Sequence, residues 1–242
     1  MIVWDEIEAV FLDAGNTLVS IDFERVAGEL DAQGMGCEVP ALRRAEAAAR
    51  PAVSRYVADR STEGAESFRF YLREILGRVE ALAPAGSDAL DRAASELALR
   101  LRAPGAANRL WRHVLPGVPE ALASLRGLGL RLVVVSNSDG SVERGLAEVG
   151  LRGYLDAVVD SALVGFEKPD PRIFAHALAA SGARRETTLH VGDLYAADVA
   201  GARAAGVHAL LLDPHDDWPP VDCARLPDVP ALARAIQAAR AA

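Results

Sequence analysis

Hydrophobic positions divide the chain into two kinds of pattern. Ala9–Leu12 is an unbroken apolar run that ends at Asp13 and a turn, which predicts a buried strand. From residue 21 to residue 109 the apolar residues recur at helical spacing and are interrupted by Gly and Pro. This second pattern predicts about four helices and no strand.

Strands and helices alternate regularly after a turn at Pro104-Gly105. The predicted strands cover residues 130–135, 157–159, 188–191 and 207–212, and the predicted helices cover residues 117–127, 142–149, 171–180 and 196–205. Such alternation is typical of a parallel sheet covered on both faces. We therefore predict an α/β fold with a three-layer, Rossmann-like parallel sheet core. Residues 1–20 and 110–242 would form this core, and residues 21–109 would be inserted as an all-helical cap subdomain.

Composition and charge narrow the class of protein. The chain has 242 residues, of which 51% are hydrophobic, enough to bury a substantial core. No apolar run approaches the roughly 18 residues of a membrane span, and the acidic N-terminal residues are unlike a secretory signal. The formal net charge of −8 argues against nucleic acid or an acidic membrane as a partner. Cys37 and Cys223 indicate neither a disulfide framework nor a zinc site, so we expect a soluble cytoplasmic protein of undetermined oligomeric state.

Lysine is almost absent from the chain. Of the 26 basic residues, all but Lys168 are arginine. Codon bias toward arginine explains the composition as a whole. On that explanation the surviving lysine marks a position where a compact ammonium is preferred to a planar guanidinium. A single exception can also arise by chance, so the interpretation depends on the residues around it.

Candidate chemical groups lie where the predicted strands end. Asp13 ends the first strand, Ser136-Asn137 follows the second, and Asp193 follows the strand at residues 188–191. Ligands of open parallel sheets bind at the carboxyl ends of the strands. We therefore expect these side chains to converge on one edge of the sheet.

A phosphate substrate gives each of these groups a chemical role. Asp13 could attack phosphorus to form an acyl-phosphate, which divides one difficult displacement into two easier steps. Attack by one anion on another requires charge cancellation, and Mg²⁺ held by Asp193, together with the Lys168 ammonium, would supply it. Ser136 and Asn137 would donate hydrogen bonds to the phosphoryl oxygens. The turn would add a small anion cradle made of the backbone N–H groups of Ala14, Gly15 and Asn16.

Each of these residues also has an ordinary structural explanation. An Asp after a strand is commonly a turn or cap residue, and Ser-Asn before a helix is commonly an N-cap. Residues 168–171 could be only a helix start, with Pro171 at the first helical position. The joint order and placement of the residues, rather than any one of them, favours a phosphate site.

Four ordered motifs resemble those of the haloacid dehalogenase-like hydrolase superfamily, and together they span nearly the whole chain. The motifs are Asp13-Ala14-Gly15-Asn16-Thr17-Leu18, Ser136-Asn137, Lys168-Pro169-Asp170-Pro171, and Gly192-Asp193 with Asp198 five residues on. The resemblance implies a subfamily I member whose inserted block is a helical cap of the first type. It also implies a Mg²⁺-dependent hydrolase of a small phosphorylated metabolite.

Roles for individual residues follow from the same resemblance. It implies that Asp13 is both the nucleophile and a metal ligand, with the Gly15 carbonyl and Asp193 as further metal ligands. Asp198 would bind a metal-bound water or orient the lysine, and Thr17 would support the site from behind. The implied phosphate site consists of Ser136, Asn137 and Lys168.

The first motif departs from the family at Gly15, where most of its phosphatases have an aspartate that protonates the leaving oxygen. Loss of a positioned proton donor typically lowers the rate by about 10²–10⁴. We therefore expect the enzyme to prefer leaving groups of low pKa, as in acyl or aryl phosphates. Dehalogenases of the family need no such acid but generally dispense with the metal, and Asp193 and Asp198 are intact here. Two alternatives stay open: a 2-haloacid dehalogenase, and a catalytically weak member that binds phosphate or a protein partner.

No nearby residue is a convincing substitute for the missing acid. The candidates are Asp139, His190 and Tyr195, of which we expect His190 to be packed in the sheet and Asp139 to cap the next helix. Arginines of the inserted block are expected to be surface charges rather than substrate ligands. They include Arg25, Arg55, Arg60 and Arg69.

Overall fold

A six-stranded parallel sheet lies at the centre of the protein. The computed structural model describes residues 2–60, 65–102 and 110–241. The strands in these residues are β1 Ala9–Leu12, β2 Val19–Ile21, β3 Trp111–Val114, β4 Arg131–Ser136, β5 Ala157–Asp160, β6 Thr188–Gly192, β7 His208–Leu212 and β8 Ala224–Leu226. The sheet has the order β5-β4-β1-β6-β7-β8 with every neighbouring pair parallel, while β2 and β3 pair antiparallel.

Helices cover both faces of this sheet. The described α-helices are α1 Phe23–Asp31, α2 Val39–Arg60, α3 Ala65–Leu76, α4 Ser87–Leu101, α5 Val118–Gly127, α6 Val142–Glu148, α7 Ser161–Val164, α8 Pro171–Ser181, α9 Gly201–Ala204 and α10 Val229–Ala241. Successive side chains of a strand point to opposite faces. Val10 and Leu12 accordingly pack in one apolar cluster with α5 and α10, whereas Phe11 packs in another with α8 and α9. The predicted three-layer, Rossmann-like α/β fold is confirmed.

Helices α1 to α4 lie between β2 and β3 in the chain and bury an apolar cluster of their own. Leu42, Leu72 and Leu97 are among its fully buried members. Four helices in the described part of this block agree with the predicted number. The boundaries of the core and of the cap stay a prediction, because the Pro104-Gly105 turn and residue 109 lie outside the described residues.

Several elements differ from the prediction. The block predicted to have no strand begins with the end of β2, because residues 19–21 pair with β3 across a long stretch of sequence. The segment 207–212 was predicted as the last strand, but β8 and α10 follow it. The helix predicted at 196–205 is a π-helix, Tyr195–Ala200, followed by the short α9. No helix in the described residues is both long and apolar enough to cross a membrane.

Parallel register brings the ends of three strands together at one edge of the sheet. Leu12 lies beside Val134 on β4 and beside Val191 on β6. The Asp13 N–H then donates to the Val191 carbonyl oxygen, 2.9 Å away, which extends the pairing by one residue. The side chains that follow these strands therefore start from adjacent positions.

Candidate active site

Lys168 joins two of the predicted carboxylates. Its Nζ donates to Oδ1 of Asp13 at 2.6 Å and to Oδ1 of Asp198 at 2.7 Å. The lysine is 2% exposed, so water does not solvate its ammonium. The two carboxylates balance the positive charge instead. The only lysine of the chain thus lies against the carboxylate that ends the first strand.

Asn137 fixes the backbone of that lysine. Its Oδ1 accepts from the Lys168 N–H at 2.7 Å, and its Nδ2 donates to the Lys168 carbonyl oxygen at 2.9 Å. Asp170 caps α8 with Pro171 at its first position, as the sequence predicts. The Asn137 side chain therefore positions Lys168, a role that the prediction of a phosphate contact did not include.

Asp198 is held by groups from three segments. Besides Lys168, it accepts a hydrogen bond from the Leu194 N–H at 2.9 Å, and the Nε2 of His190 lies 3.0 Å from its Oδ1. Burial acts to raise the pKa of Asp198, but Lys168 and His190 outweigh it and hold that pKa below its usual range. His190 is buried within β6 as predicted, burial lowers its pKa, and its Nε2 supports Asp198.

Asp193 faces a charged pair that the sequence analysis missed. The Nε of Arg50, on α2, lies 3.4 Å from Oδ2 of Asp193. Arg50 also donates two hydrogen bonds to Glu46, at 3.0 and 2.8 Å, and both side chains are buried. One of 25 arginines has no distinguishing signal in the sequence. The i, i+4 spacing of Glu46 and Arg50 is the only local indication of their pairing.

The turn after the first strand differs in part from the predicted anion cradle. Asn16 has a φ of 52°, a left-handed conformation that Asn tolerates. Its N–H donates to the Val19 carbonyl oxygen at 2.6 Å and is therefore already used. Its side-chain Nδ2 donates to Oδ2 of Asp193 at 3.3 Å and to Tyr71 Oη at 3.4 Å. In this structure Asn16 thus orients Asp193; contacts from the N–H groups of residues 14 and 15 stay predictions.

Negative charge exceeds positive charge around these residues. Four buried carboxylates (Asp13, Glu46, Asp193 and Asp198) share two buried cations, Lys168 and Arg50. Burial raises the pKa of Asp13, against the partial opposition of Lys168. Burial raises the pKa of Asp193 well above its usual range, and the Asp13 and Asp198 carboxylates add to the effect. Formal charges leave the cluster two positive charges short.

The cluster borders a cavity of about 330 Å³ between the sheet edge and helices of the inserted block. Asp13, Ser136, Lys168 and Asp193 all line it. Thr17 is buried and is not among the lining residues, and its Oγ1 has no hydrogen-bond partner among the described residues. The residues predicted from four separate motifs therefore meet at one cavity.

The substitute acids and the cap arginines occupy other positions. Tyr195 donates to Asp222 at 2.5 Å and does not border the cavity. Asp139 borders it, but its Oδ1 accepts from the Ser141 N–H and hydroxyl, while the N-cap position of α6 belongs to Ser141. The side chains of Arg55, Arg60 and Arg69 are exposed and Arg25 is half-buried.

Comparison with known proteins identifies the family. A sequence model described as haloacid dehalogenase-like hydrolase matches residues 7–206. The chain belongs to this family of hydrolases. A Bacillus subtilis hydrolase of the family, solved with bound magnesium, superposes with a TM-score of 0.63 at 15% identity, covering 95% of this chain and 98% of that one. At that identity the likeness shows the fold alone.

Curated relatives cover different shares of the chain. Haloacid dehalogenase-like hydrolase domain-containing protein 3 of Homo sapiens is 43% identical over 102 residues, which are 42% of this chain and 40% of that protein. The chain thus spans well under two thirds of this relative's length. Phosphoserine phosphatase of Thermus thermophilus is 35% identical over 185 residues, 75% of this chain and 72% of that enzyme.

The buried Glu46–Arg50 pair yields a stability prediction. Arg50→Met should lower the free energy of unfolding by about 3–5 kcal/mol, because it leaves Glu46 buried without its partner. The double variant Glu46→Leu with Arg50→Met should lose less unfolding free energy, since both charges of the pair are removed. Urea unfolding measures the difference, with the exposed Arg100→Met, in the i, i+4 pair with Glu96, as a control expected to change little. Equal losses in the single and double variants would contradict this account.

Gly192 permits the close approach of Asp198. A Cβ on residue 192 would overlap the Asp198 carboxylate, so Gly192→Ala must displace that carboxylate. We expect a loss of about 1–3 kcal/mol in unfolding free energy, the usual effect of overpacking. Thermal unfolding would measure it against Gly28→Ala, whose Cβ would meet nothing within 4 Å. A Gly192→Ala variant as stable as the Gly28→Ala control would refute the steric argument.

The raised pKa of Asp193 predicts a pH dependence in chelator-treated protein. A carboxyl whose folded pKa lies above its unfolded value stabilises the fold at low pH, and this contribution is lost as pH rises through the folded pKa. Above about pH 4, wild type should lose stability relative to Asp193→Asn, by at most about 1.4 kcal/mol per pH unit. The lowered pKa of His190 gives a contribution to stability with the opposite pH dependence. Both proteins contain His190, so the comparison cancels this contribution. Parallel stability curves for the two proteins would show that Asp193 ionises normally.

Proposed function

We propose that this protein is a Mg²⁺-dependent phosphohydrolase acting on a small phosphorylated metabolite through an aspartyl-phosphate on Asp13. The observation that carries the proposal is the buried Lys168 ammonium, hydrogen-bonded to Asp13 within a cluster whose formal charges leave it two positive charges short. An ammonium next to a carboxylate at a cavity wall supplies the charge cancellation that attack on a phosphate anion needs. Phosphatases among the relatives support the same chemistry.

The donor set suits a hard divalent cation. Carboxylate oxygens of Asp13 and Asp193, with the Gly15 carbonyl, are the kind of ligands that Mg²⁺ prefers. No three His, Cys, Asp or Glu side chains in the described residues form a metal site by themselves, so backbone and water oxygens would have to complete the shell. When bound, the ion would supply the two missing positive charges and polarise the phosphoryl group.

The side chains divide the work of the reaction. Lys168 holds Oδ1 of Asp13, and Oδ2 of the same carboxylate would attack phosphorus. The bond from phosphorus to the leaving oxygen breaks, and that oxygen departs with the electron pair. Water then cleaves the aspartyl-phosphate, which restores the Asp13 carboxylate and releases phosphate. Asp198 and Asn137 keep Lys168 in place throughout.

Helices α1 to α4 would serve as the cap. Arg50 on α2 reaches Asp193, and Ser54 on the same helix accepts a hydrogen bond from the Ala196 N–H at 2.8 Å. These contacts connect the inserted block to the segment that carries two of the site carboxylates. A substrate would therefore enter between the block and the sheet edge. A cytoplasmic location stays a prediction.

Turnover of acetyl phosphate tests the proposal. Its carboxylate leaving group needs no proton, so the absence of an acid at Gly15 should not slow it. We expect Mg²⁺-dependent phosphate release that falls by at least about 10³ in Asp13→Asn. The exposed Asp59→Asn is the matched control and should behave as wild type.

The competing functions have their own outcomes in the same assay. Chloride release from a 2-haloacid without metal would replace the proposal with a dehalogenase. Binding of inorganic phosphate without turnover of acetyl phosphate would replace it with a binding role. Turnover that persists undiminished in Asp13→Asn would exclude the aspartyl-phosphate.

A further inference from the structure

One wall of the cavity is aromatic, although aromatic residues make up only 5% of the chain. Phe68 and Tyr71 on α3 and Trp111 on β3 all line it. The ring centroids of Phe68 and Tyr71 are 6.2 Å apart, and those of Tyr71 and Trp111 are 6.4 Å apart. We call these three residues the aromatic wall. Val53 and Val57, on α2, line the cavity as well.

Trp111 brings this wall next to the turn that carries Asp13. A Cβ built on Gly15 would lie 3.1 Å from the Trp111 ring, a contact tighter than side chains usually make. The indole therefore lies against Gly15, and a Cβ on residue 15 would require the ring to shift by a few tenths of an ångström. Asp13, two residues before Gly15, lines the same cavity as Trp111, so a phosphate on Asp13 would share that cavity with the ring.

Polar residues line the cavity as well. Those in or just before α6 are Ser138, Asp139, Ser141 and Arg144, and the apolar Val142 and Leu146 of the same helix also line it. A ligand in this cavity would therefore meet aromatic carbon together with hydroxyl and charged groups. An aromatic ring suits such a site, because its face stacks on indole while its edge accepts polar neighbours.

We propose that the substrate is a phosphate ester whose leaving group is an aromatic ring, bound against Trp111. This assignment rests on the proposed phosphohydrolase function and names its substrate class. Bond cleavage leaves the electron pair on a phenolate oxygen, which takes its proton from water. A phenolate leaves without an enzyme acid more readily than an alkoxide does, which suits a site where residue 15 is a glycine packed against the Trp111 ring.

Binding of two phosphonates that cannot be cleaved tests the assignment without involving the leaving group. Phenylphosphonate and methylphosphonate would be titrated calorimetrically into the Mg²⁺-loaded protein. We expect the phenyl compound to bind roughly 5- to 10-fold more tightly to wild type. In Trp111→Leu the ratio of the two affinities should fall to about 2 or less. In Phe68→Leu it should fall to a value between that of Trp111→Leu and that of wild type. Trp4→Leu, a half-buried tryptophan away from the cavity, should keep the wild-type ratio.

The outcomes separate this assignment from the function on which it rests. Hydrolysis of acetyl phosphate with equal binding of both phosphonates would overturn the aromatic assignment and leave the phosphohydrolase in place. A preference for phenylphosphonate that survives in both Trp111→Leu and Phe68→Leu would also overturn it. If the protein hydrolyses neither acetyl phosphate nor phenyl phosphate, the proposed function is wrong, and the substrate class with it. Faster turnover of phenyl phosphate by wild type than by folded Trp111→Leu would support the aromatic assignment.

Discussion

The buried ammonium of Lys168 is the interaction on which the arrangement of the site depends. It hydrogen-bonds to Asp13 and to Asp198 at once, and all three side chains are buried. Removing one member of such a cluster leaves an uncompensated buried charge, which is strongly destabilising. The surrounding structure is built around this constraint. Asn137 fixes the lysine backbone, and His190 and the Leu194 N–H hold Asp198.

A second consequence of burying so much charge is that the two parts of the chain depend on each other. Asp193 follows a strand of the sheet, yet the guanidinium nearest to it belongs to Arg50 on α2. Because Arg50 is also paired with Glu46, it cannot neutralise both carboxylates fully. The remaining deficit is what a divalent cation would correct. In the proposed reaction, cation binding and the position of the helical block would therefore influence each other.

The departure at Gly15 has a physical counterpart in the cavity. A Cβ on residue 15 would press on the Trp111 ring, which would have to shift by a few tenths of an ångström. The position that lacks the proton donor and the aromatic surface therefore lie side by side. The sequence also left open a dehalogenase and a binding protein. Either would use the aromatic surface and the charge deficit differently from the proposed hydrolase.

Local sequence determined most of the elements and the order of the site motifs. The apolar run of β1, the β-branched β4 and the lone Lys168 each carry a signal within a few residues, since strand burial and charge chemistry are local properties. Tertiary structure decided the rest. The pairing of β2 with β3, the contact of Arg50 with Asp193 and that of Trp111 with Gly15 join residues remote in the chain. Packing between separate elements sets such contacts, and no periodicity within one segment encodes them.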